Sequence, residues 1–234
     1  MPYAIITGAT QGIGRAVAEK YLANGYCIAV CARSKEKLKL LEQDWNERYP
    51  TASVIVYDTD LSLRGNVSAF ATEITSVFPH IDVLVNNAGS FLPGNLEDEP
   101  EGLLEQMLAV NLHSAYHLTK AIIPVMKKNG SGHIFNMCSV ASLKAYPQGG
   151  AYSISKYALL GFSENLREEM RAYNIKVTSV CPGATYTPSW EGSGVEPGRI
   201  MEAADVAEII YAASCLSPQA TLETIVMRPV KGDL

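Results

Sequence analysis

Two tyrosines in the chain stand four residues ahead of a lysine, Tyr116 with Lys120 and Tyr152 with Lys156. On a helix this spacing puts phenol and ammonium on one face, a turn apart. A phenol loses its proton only near pH 10, so at neutral pH it moves protons only when a neighbouring cation stabilises its anion. An ammonium about 4 Å away, at an effective dielectric near 20, is worth roughly 4 kcal/mol, or up to about three pH units before burial takes some back. The spacing itself carries little weight: with 12 tyrosines and 11 lysines in 234 residues, chance supplies roughly 0.6 occurrences. Position decides between the two. Tyr152 opens a helical pattern just after an apolar run that ends at Cys138-Ser139, whereas Tyr116 falls inside a helical pattern, where tyrosine usually packs. Ser139, Tyr152 and Lys156 then read as one set: a phenol exchanging a proton with a substrate oxygen, an ammonium tuning it and a hydroxyl polarising that oxygen. Singly, Ser139 is a strand-end serine and Lys156 a surface lysine; those readings do not explain the three together.

Near the start of the chain, Thr7-Gly8-Ala9-Thr10-Gln11-Gly12-Ile13-Gly14 follows an apolar run and precedes a helical pattern. Glycines at 8, 12 and 14 allow a sharp turn and a close backbone approach to a pyrophosphate. The helix behind them directs unpaired N–H groups and its positive end at the anion, with Thr10, Gln11 and Ile13 completing the turn. Glycines also mark ordinary turns, but the strand before and the helix after favour a phosphate cradle. About 20 residues further on, an NAD-selective site carries a carboxylate for the ribose 2′-hydroxyl. Here the second run ends Cys31-Ala32-Arg33-Ser34, and the only acid between Gly14 and Arg33 is Glu19, in mid-helix. Arg33 can pair with a 2′-phosphate, so the sequence favours NADP(H) over NAD(H); the bland alternative is a solvated strand-end residue.

Seven short apolar runs must position these residues: Tyr3–Thr7, Cys27–Cys31, Ser53–Tyr57, Asp82–Asn86, His133–Cys138, Lys176–Cys181 and Thr224–Arg228. They are continuously apolar, as strands covered on both faces are. Helical periodicity fills 12–24, 34–48, 63–78, 101–128, 150–173 and 203–215. Strict alternation predicts a single-domain, doubly wound α/β fold, a seven-stranded parallel sheet with helices on both faces. Ligands of such sheets sit beyond the carboxyl ends of the strands, where strand order reverses. Ser34 reads as the N-cap of 34–48, and Pro124 is expected to kink or end the 101–128 helix early. Gly183–Met201 is the one long irregular stretch, either a functional lid or a disordered segment, and a short flap is expected at about 188–203.

With 19 basic against 24 acidic residues, the net charge of −5 leaves no footprint for nucleic acid. A hydrophobic fraction of 47% supplies a large core, and no run approaches the ~20 apolar residues of a membrane span. Cys27, Cys31, Cys138, Cys181 and Cys215 are scattered, with no metal-ligand spacing. No metal is expected. Unpaired thiols and the absence of a basic, apolar leader point to a cytoplasmic protein.

Taken in order, Thr7-Gly8-x-x-x-Gly12-x-Gly14, Asp60-Leu61, Asn86-Asn87-Ala88-Gly89, Asn111, Ser139, Tyr152-x-x-x-Lys156 and Pro182-Gly183 with Thr187 resemble the short-chain dehydrogenase/reductase family over essentially the whole chain. The resemblance implies a Rossmann fold and hydride exchange between a nicotinamide and a small molecule, interconverting a carbonyl (ketone, aldehyde or ketoacyl) and an alcohol. It implies that Asp60 and Leu61 contact the adenine, and that Asn87, Ala88 and Gly89 line the adenosine side. Asn111 would hold a water chain leading to Lys156, which would also bond the nicotinamide ribose. Pro182, Gly183, Thr185 and Thr187 would hold the carboxamide and diphosphate. Gln11 stands where many NADP-dependent relatives carry a basic residue, which leaves phosphate selection to Arg33. Substrate would meet Ser139, Tyr146, Tyr152 and Trp190, with Ser90, Phe91, Leu92, Ala141 and Leu143 nearby. A homodimer or homotetramer through the helices of Tyr116 and Tyr157 is also implied. The rival from another class is a non-catalytic NADP-binding redox sensor on the same fold, against which the full Asn111–Ser139–Tyr152–Lys156 set argues.

Overall fold

Ile5 and Ile6, Ala29 and Val30, Leu84 and Val85, and Ile134 and Phe135 are consecutive apolar pairs, and each pair is divided between two separate buried cores. Side chains alternate across a strand, so both members of such a pair are buried only where both faces of the sheet are covered. A computed structural model describes residues 1–190 and 192–234.

Among those residues the first strands are β1 (Tyr3–Thr7), β2 (Cys27–Ala32), β3 (Val54–Asp58), β4 (Val83–Asn86), β5 (Gly132–Met137) and β6 (Ile175–Pro182). After them come β7 (Thr185–Tyr186), β8 (Met201–Glu202) and β9 (Thr224–Met227). Seven of these form one all-parallel sheet in the order β3-β2-β1-β4-β5-β6-β9. One face is covered by α1 (Gly12–Ala23), α2 (Lys35–Arg48) and a late helix, Ala203–Ser214, through Tyr21, Trp45 and Ile210. The other is covered by α3 (Arg64–Val77) and the helices Ser114–Asn129 and Gly150–Met170, through Phe70, Ile122 and Leu166. Strand order reverses between β1 and β4, so the crevice opens beyond Thr7 and Asn86. This is the doubly wound α/β architecture expected from the alternation of runs.

Three local expectations change. The stretch read as one helix over 101–128 is α4 (Leu103–Leu108), a π turn (Ala109–His113) and α5 (Ser114–Asn129). Pro124 does not end α5, which continues to Asn129 and closes on left-handed Gly130. Proline removes one backbone donor, and burial of Leu118, Ile122 and Met126 against the sheet outweighs that loss. The stretch Gly183–Met201 is not wholly irregular, because β7 and β8 pair as a small parallel sheet of their own. Within the expected flap at 188–203, Glu191 lies outside the described residues. The remaining helices, α6 (Gly150–Met170) and α7 (Ala203–Ser214), start and end close to their expected bounds, and Ser34 caps α2 by accepting from the Lys37 amide.

One buried group ties stability to pH. His133 stacks on Phe135 with ring centroids 3.9 Å apart, and its Nε2 lies 2.7 Å from the Thr178 hydroxyl. That hydroxyl donates to the Leu222 carbonyl, so Nε2 must be the N–H that donates to Thr178 Oγ1. Nδ1 is left buried without a partner, and protonating it would bury an unpaired N–H⁺. Burial accordingly pushes the imidazole down to about 3. The unfolded chain takes up this proton below about pH 6.5 while the folded chain does not, so stability is complete above that pH and falls as pH drops toward 3. Urea unfolding between pH 7 and 4 is expected to show a His133 contribution of up to about 1.4 kcal/mol per pH unit, which His133→Gln removes.

Candidate active site

The turn between β1 and α1 has no room for side chains. Gly8 and Gly12 adopt φ of +69° and +56°, in the left-handed region. A Cβ on Gly14 would lie 2.3 Å from both Asn87 Nδ2 and Gly8 O, and one on Gly12 would lie 2.8 Å from Thr187 Cγ2. The end of β4 is stitched to this turn. Asn87 Nδ2 donates to the carbonyls of Thr7 and Gly8, and Thr7 Oγ1 accepts from the amides of Asn87 and Ala88. At the start of α1, Gln11 makes no side-chain cap, which leaves the first-turn amides facing the cleft. Bare backbone donors beside a helix N-terminus fit a pyrophosphate.

A cavity of about 1330 Å³ runs from this turn across the carboxyl ends of the strands. It is lined by Gly8, Thr10, Gln11, Gly12, Ile13, Gly14, Arg33, Asp60, Leu61, Asn87, Ala88 and Gly89. Ser139, Tyr146, Tyr152, Lys156, Pro182, Gly183, Thr185, Thr187 and Trp190 line it too, together with Ser90, Phe91, Leu92 and Ala141. Leu143 does not line it, and neither does Asn111. The π turn swings Asn111 inward, where its amide is buried: Oδ1 accepts from the Ser90 amide, and Nδ2 donates to Ser90 O and Ser155 Oγ. Asn111 thus holds the loop after β4 rather than facing the cavity. Asp60 lines the cavity while its carboxylate accepts from the Ser62 amide at 2.9 Å, and that bond holds its carboxyl below the usual range.

Ser139 leaves β5, its hydroxyl accepts from the Ala141 amide, and the Tyr152 phenol lies beside it. Lys156, on the next turn of α6, is buried and donates to Met137 O at 2.7 Å. Gly89 makes space for it: a Cβ there would lie 3.5 Å from Lys156 Nζ and 3.0 Å from Asn111 Oδ1. The expected acidic phenol is not found in the protein alone. Lys156 Nζ is drawn to β5, 5.9 Å from the Tyr152 ring centroid, and burial pushes the phenol up to about 12 against the smaller opposing effect of the Ser139 hydroxyl. Burial also pushes the Lys156 ammonium down. Tyr152 is therefore a protonated donor at neutral pH. Phe91 meets it edge-on, with centroids 4.8 Å apart.

Two contributors were missed by reading the sequence. Lys37, in the first turn of α2, lines the same cavity as Arg33 and donates to Gln11 Oε1 at 3.3 Å. Its signal was its place four residues after Arg33. Glu99, from the loop before α4, accepts from the Ala151 amide at 2.8 Å and so caps the helix that carries Tyr152, where Gly149 offers no side-chain cap. Gly150, at φ +35°, admits that carboxylate: a Cβ there would overlap Glu99 Oε1. No local pattern marks a contact 52 residues away.

Comparison with known proteins fits this geometry. The family model described as short chain dehydrogenase matches residues 2–196, and the chain belongs to the short-chain dehydrogenase/reductase family of oxidoreductases. A sepiapterin reductase of Chlorobaculum tepidum is 32% identical over 238 residues, covering 98% of this chain and 97% of the relative. The alcohol dehydrogenase of the archaeon Thermococcus sibiricus, solved with 5-hydroxy-NADP, superposes with a TM-score of 0.90 at 26% identity, covering 98% of this chain and 97% of that one. A metagenomic short-chain oxidoreductase solved with NADP gives 0.84 at 30% identity over the same shares.

If Glu99 holds the start of α6, Glu99→Ala should lower kcat about tenfold by loosening Tyr152, with a smaller change in dinucleotide Kd. Glu99→Gln, which keeps an acceptor oxygen, should restore most of it, as steady-state kinetics of the two variants will show.

Proposed function

We propose that this protein is an NADP(H)-dependent oxidoreductase that interconverts a carbonyl (ketone, aldehyde or ketoacyl) and an alcohol on a small molecule. One observation carries the reading. The hydroxyls of Ser139 and Tyr152 and the buried Lys156 ammonium share a cavity with a glycine-lined turn that bare backbone amides open to a diphosphate. Relatives named as a reductase and as a dehydrogenase, the two directions of one reaction, support it.

The nicotinamide, when bound, supplies or takes the hydride. In the direction of reduction, Ser139 and Tyr152 both donate to the carbonyl oxygen, polarising it, and Tyr152 passes its proton to that oxygen as negative charge develops. A phenol held up to about 12 is fully charged with its proton for this role. Lys156 then stabilises the phenolate left behind and would bond the cofactor ribose, while Asn111 supports proton relay by fixing the loop at Ser90. Oxidation runs the same path backwards and needs the phenolate, so its kcat/KM should rise with pH where reduction does not.

At the adenosine end, Asp60, Leu61, Asn87, Ala88 and Gly89 flank the base and ribose. Gly8, Thr10, Gln11, Gly12, Ile13, Gly14, Pro182, Gly183, Thr185 and Thr187 would hold the diphosphate and carboxamide. Arg33 and Lys37 both line the cavity and would take the 2′-phosphate of NADP(H), Arg33 bidentately and Lys37 as a point charge. The 188–203 segment acts as the substrate flap of a single domain, with Tyr146 and Trp190 against the substrate. Exposed Leu104, Tyr116, Ile154 and Tyr157 on α4, α5 and α6 form the face through which a homodimer or homotetramer assembles. Its unpaired cysteines suit the cytoplasm.

NADPH absorbance with a panel of aldehydes, ketones and ketoacyl thioesters tests the activity; tight NADPH binding with no oxidation across the panel would support a sensor instead. Tyr152→Phe is expected to lower kcat by about 10²–10⁴-fold with NADPH affinity retained. Arg33→Asp should shift the NADPH/NADH ratio of kcat/KM toward NADH by at least about tenfold, and Lys37→Ala should shift it the same way but less.

A further inference from the structure

Cys138 and Cys181 have no part in the proton chemistry above, yet they lie directly beneath it. β5 and β6 stay in register as far as Met137↔Val180, so the two cysteines that follow face each other across the strand pair. Both fall in one small buried cluster, where each thiol perturbs the other. The Ser139 amide lies against the Cys181 sulfur, and the Lys156 ammonium acts on both. Cys138 lines the cavity whereas Cys181 does not. One thiol is thus reachable from the cleft and the other stands behind it.

We propose that Cys138 and Cys181 are a redox-modification site, a dithiol that a peroxide entering through the cleft converts to a disulfide and so silences the Ser139–Tyr152–Lys156 set. Interaction with Cys181 and then the Lys156 charge hold the Cys138 thiol below its usual range, while interaction with Cys138 and then burial push Cys181 up. Cys138 lines the cleft through which the peroxide enters and Cys181 stands behind it, so Cys138 is the attacking thiol and Cys181 the resolving thiol. The Cys138 sulfur attacks one peroxide oxygen, the O–O bond breaks, and the departing hydroxide takes a proton to become water, leaving a sulfenic acid. The Cys181 sulfur then attacks that sulfur, the S–O bond breaks, and the second hydroxide leaves as water with the Cys181 proton. Two thiols and one peroxide become one disulfide and two waters. Neighbouring strands lie about 4.8 Å apart, within the roughly 4.4–6.8 Å between Cα atoms that a disulfide spans. Bringing the sulfurs to about 2.05 Å draws Cys138 toward β6, and Ser139, the next residue, moves with it. The bridge stands on the thiol geometry; its effect on turnover rests on the activity proposed above.

The full-length chain is titrated with hydrogen peroxide with and without NADP⁺, its unreduced peptides are mapped by mass spectrometry, and NADPH affinity and turnover are read before and after dithiothreitol. A Cys138–Cys181 peptide lighter by two hydrogens should form, with turnover falling ~tenfold or more in step and returning on reduction. NADP⁺ covering the cleft should slow the bridge ~tenfold. Cys181→Ser should keep its turnover, form no bridge, and lose activity to peroxide beyond rescue by dithiothreitol as Cys138 passes to sulfinic acid. Oxidation confined to exposed Cys215, a bridge that leaves turnover intact, or equal reversible inactivation of Cys181→Ser would each overturn the proposal. The bridge is read by mass in the wild-type chain, so it is judged separately from the carbonyl panel and from the folding of any variant.

Discussion

A buried ammonium is the constraint around which the catalytic end is arranged. Lys156 carries its charge inside the protein, where desolvation costs several kcal/mol that only well-placed partners repay. The Met137 carbonyl at the end of β5 is one such partner, and reaching it fixes α6 against the sheet one turn from Tyr152. The glycine at 89 belongs to the same arrangement, because a side chain there would press on Asn111 and stand in contact with Lys156. Helix, strand and loop are thus positioned by one charge that must be shared.

At the other end the constraint is crowding. Gly8, Gly14 and Asn87 approach so closely that the β1–α1 turn and the end of β4 form a single joint. Two neighbouring strands lead their chains apart at this point, which opens the cleft without any insertion. The same joint leaves the first amides of α1 free for an anion. An acidic chain therefore presents a local positive end, strengthened by Arg33 and Lys37, with no change in its overall sign.

The substrate half differs in character. Phe91 meets the Tyr152 ring, Tyr146 and Trp190 line the same cavity, and burial there raises the phenol rather than lowering it. A site that keeps its proton until charge appears on the substrate fits donation better than abstraction. The thiol pair behind Ser139 shares the same low-dielectric floor, so proton and sulfur chemistry meet at the carboxyl ends of β5 and β6.

The chain by itself determined the strand and helix alternation, the glycine turn and the choice of Tyr152 over Tyr116, because each is written in neighbouring residues. Consecutive apolar pairs such as Ile5-Ile6 have meaning only between two covered faces, so the sheet was legible before any coordinates. Boundaries within 101–128 were not, because a π turn and a tolerated Pro124 depend on what the helix packs against. Tertiary structure alone decided that Asn111 turns inward onto Ser90, that Lys37 joins Arg33, that Glu99 caps a helix 52 residues away and that Tyr152 holds its proton. Each of these depends on distance and burial between segments remote in sequence, and spacing along the chain carries neither quantity.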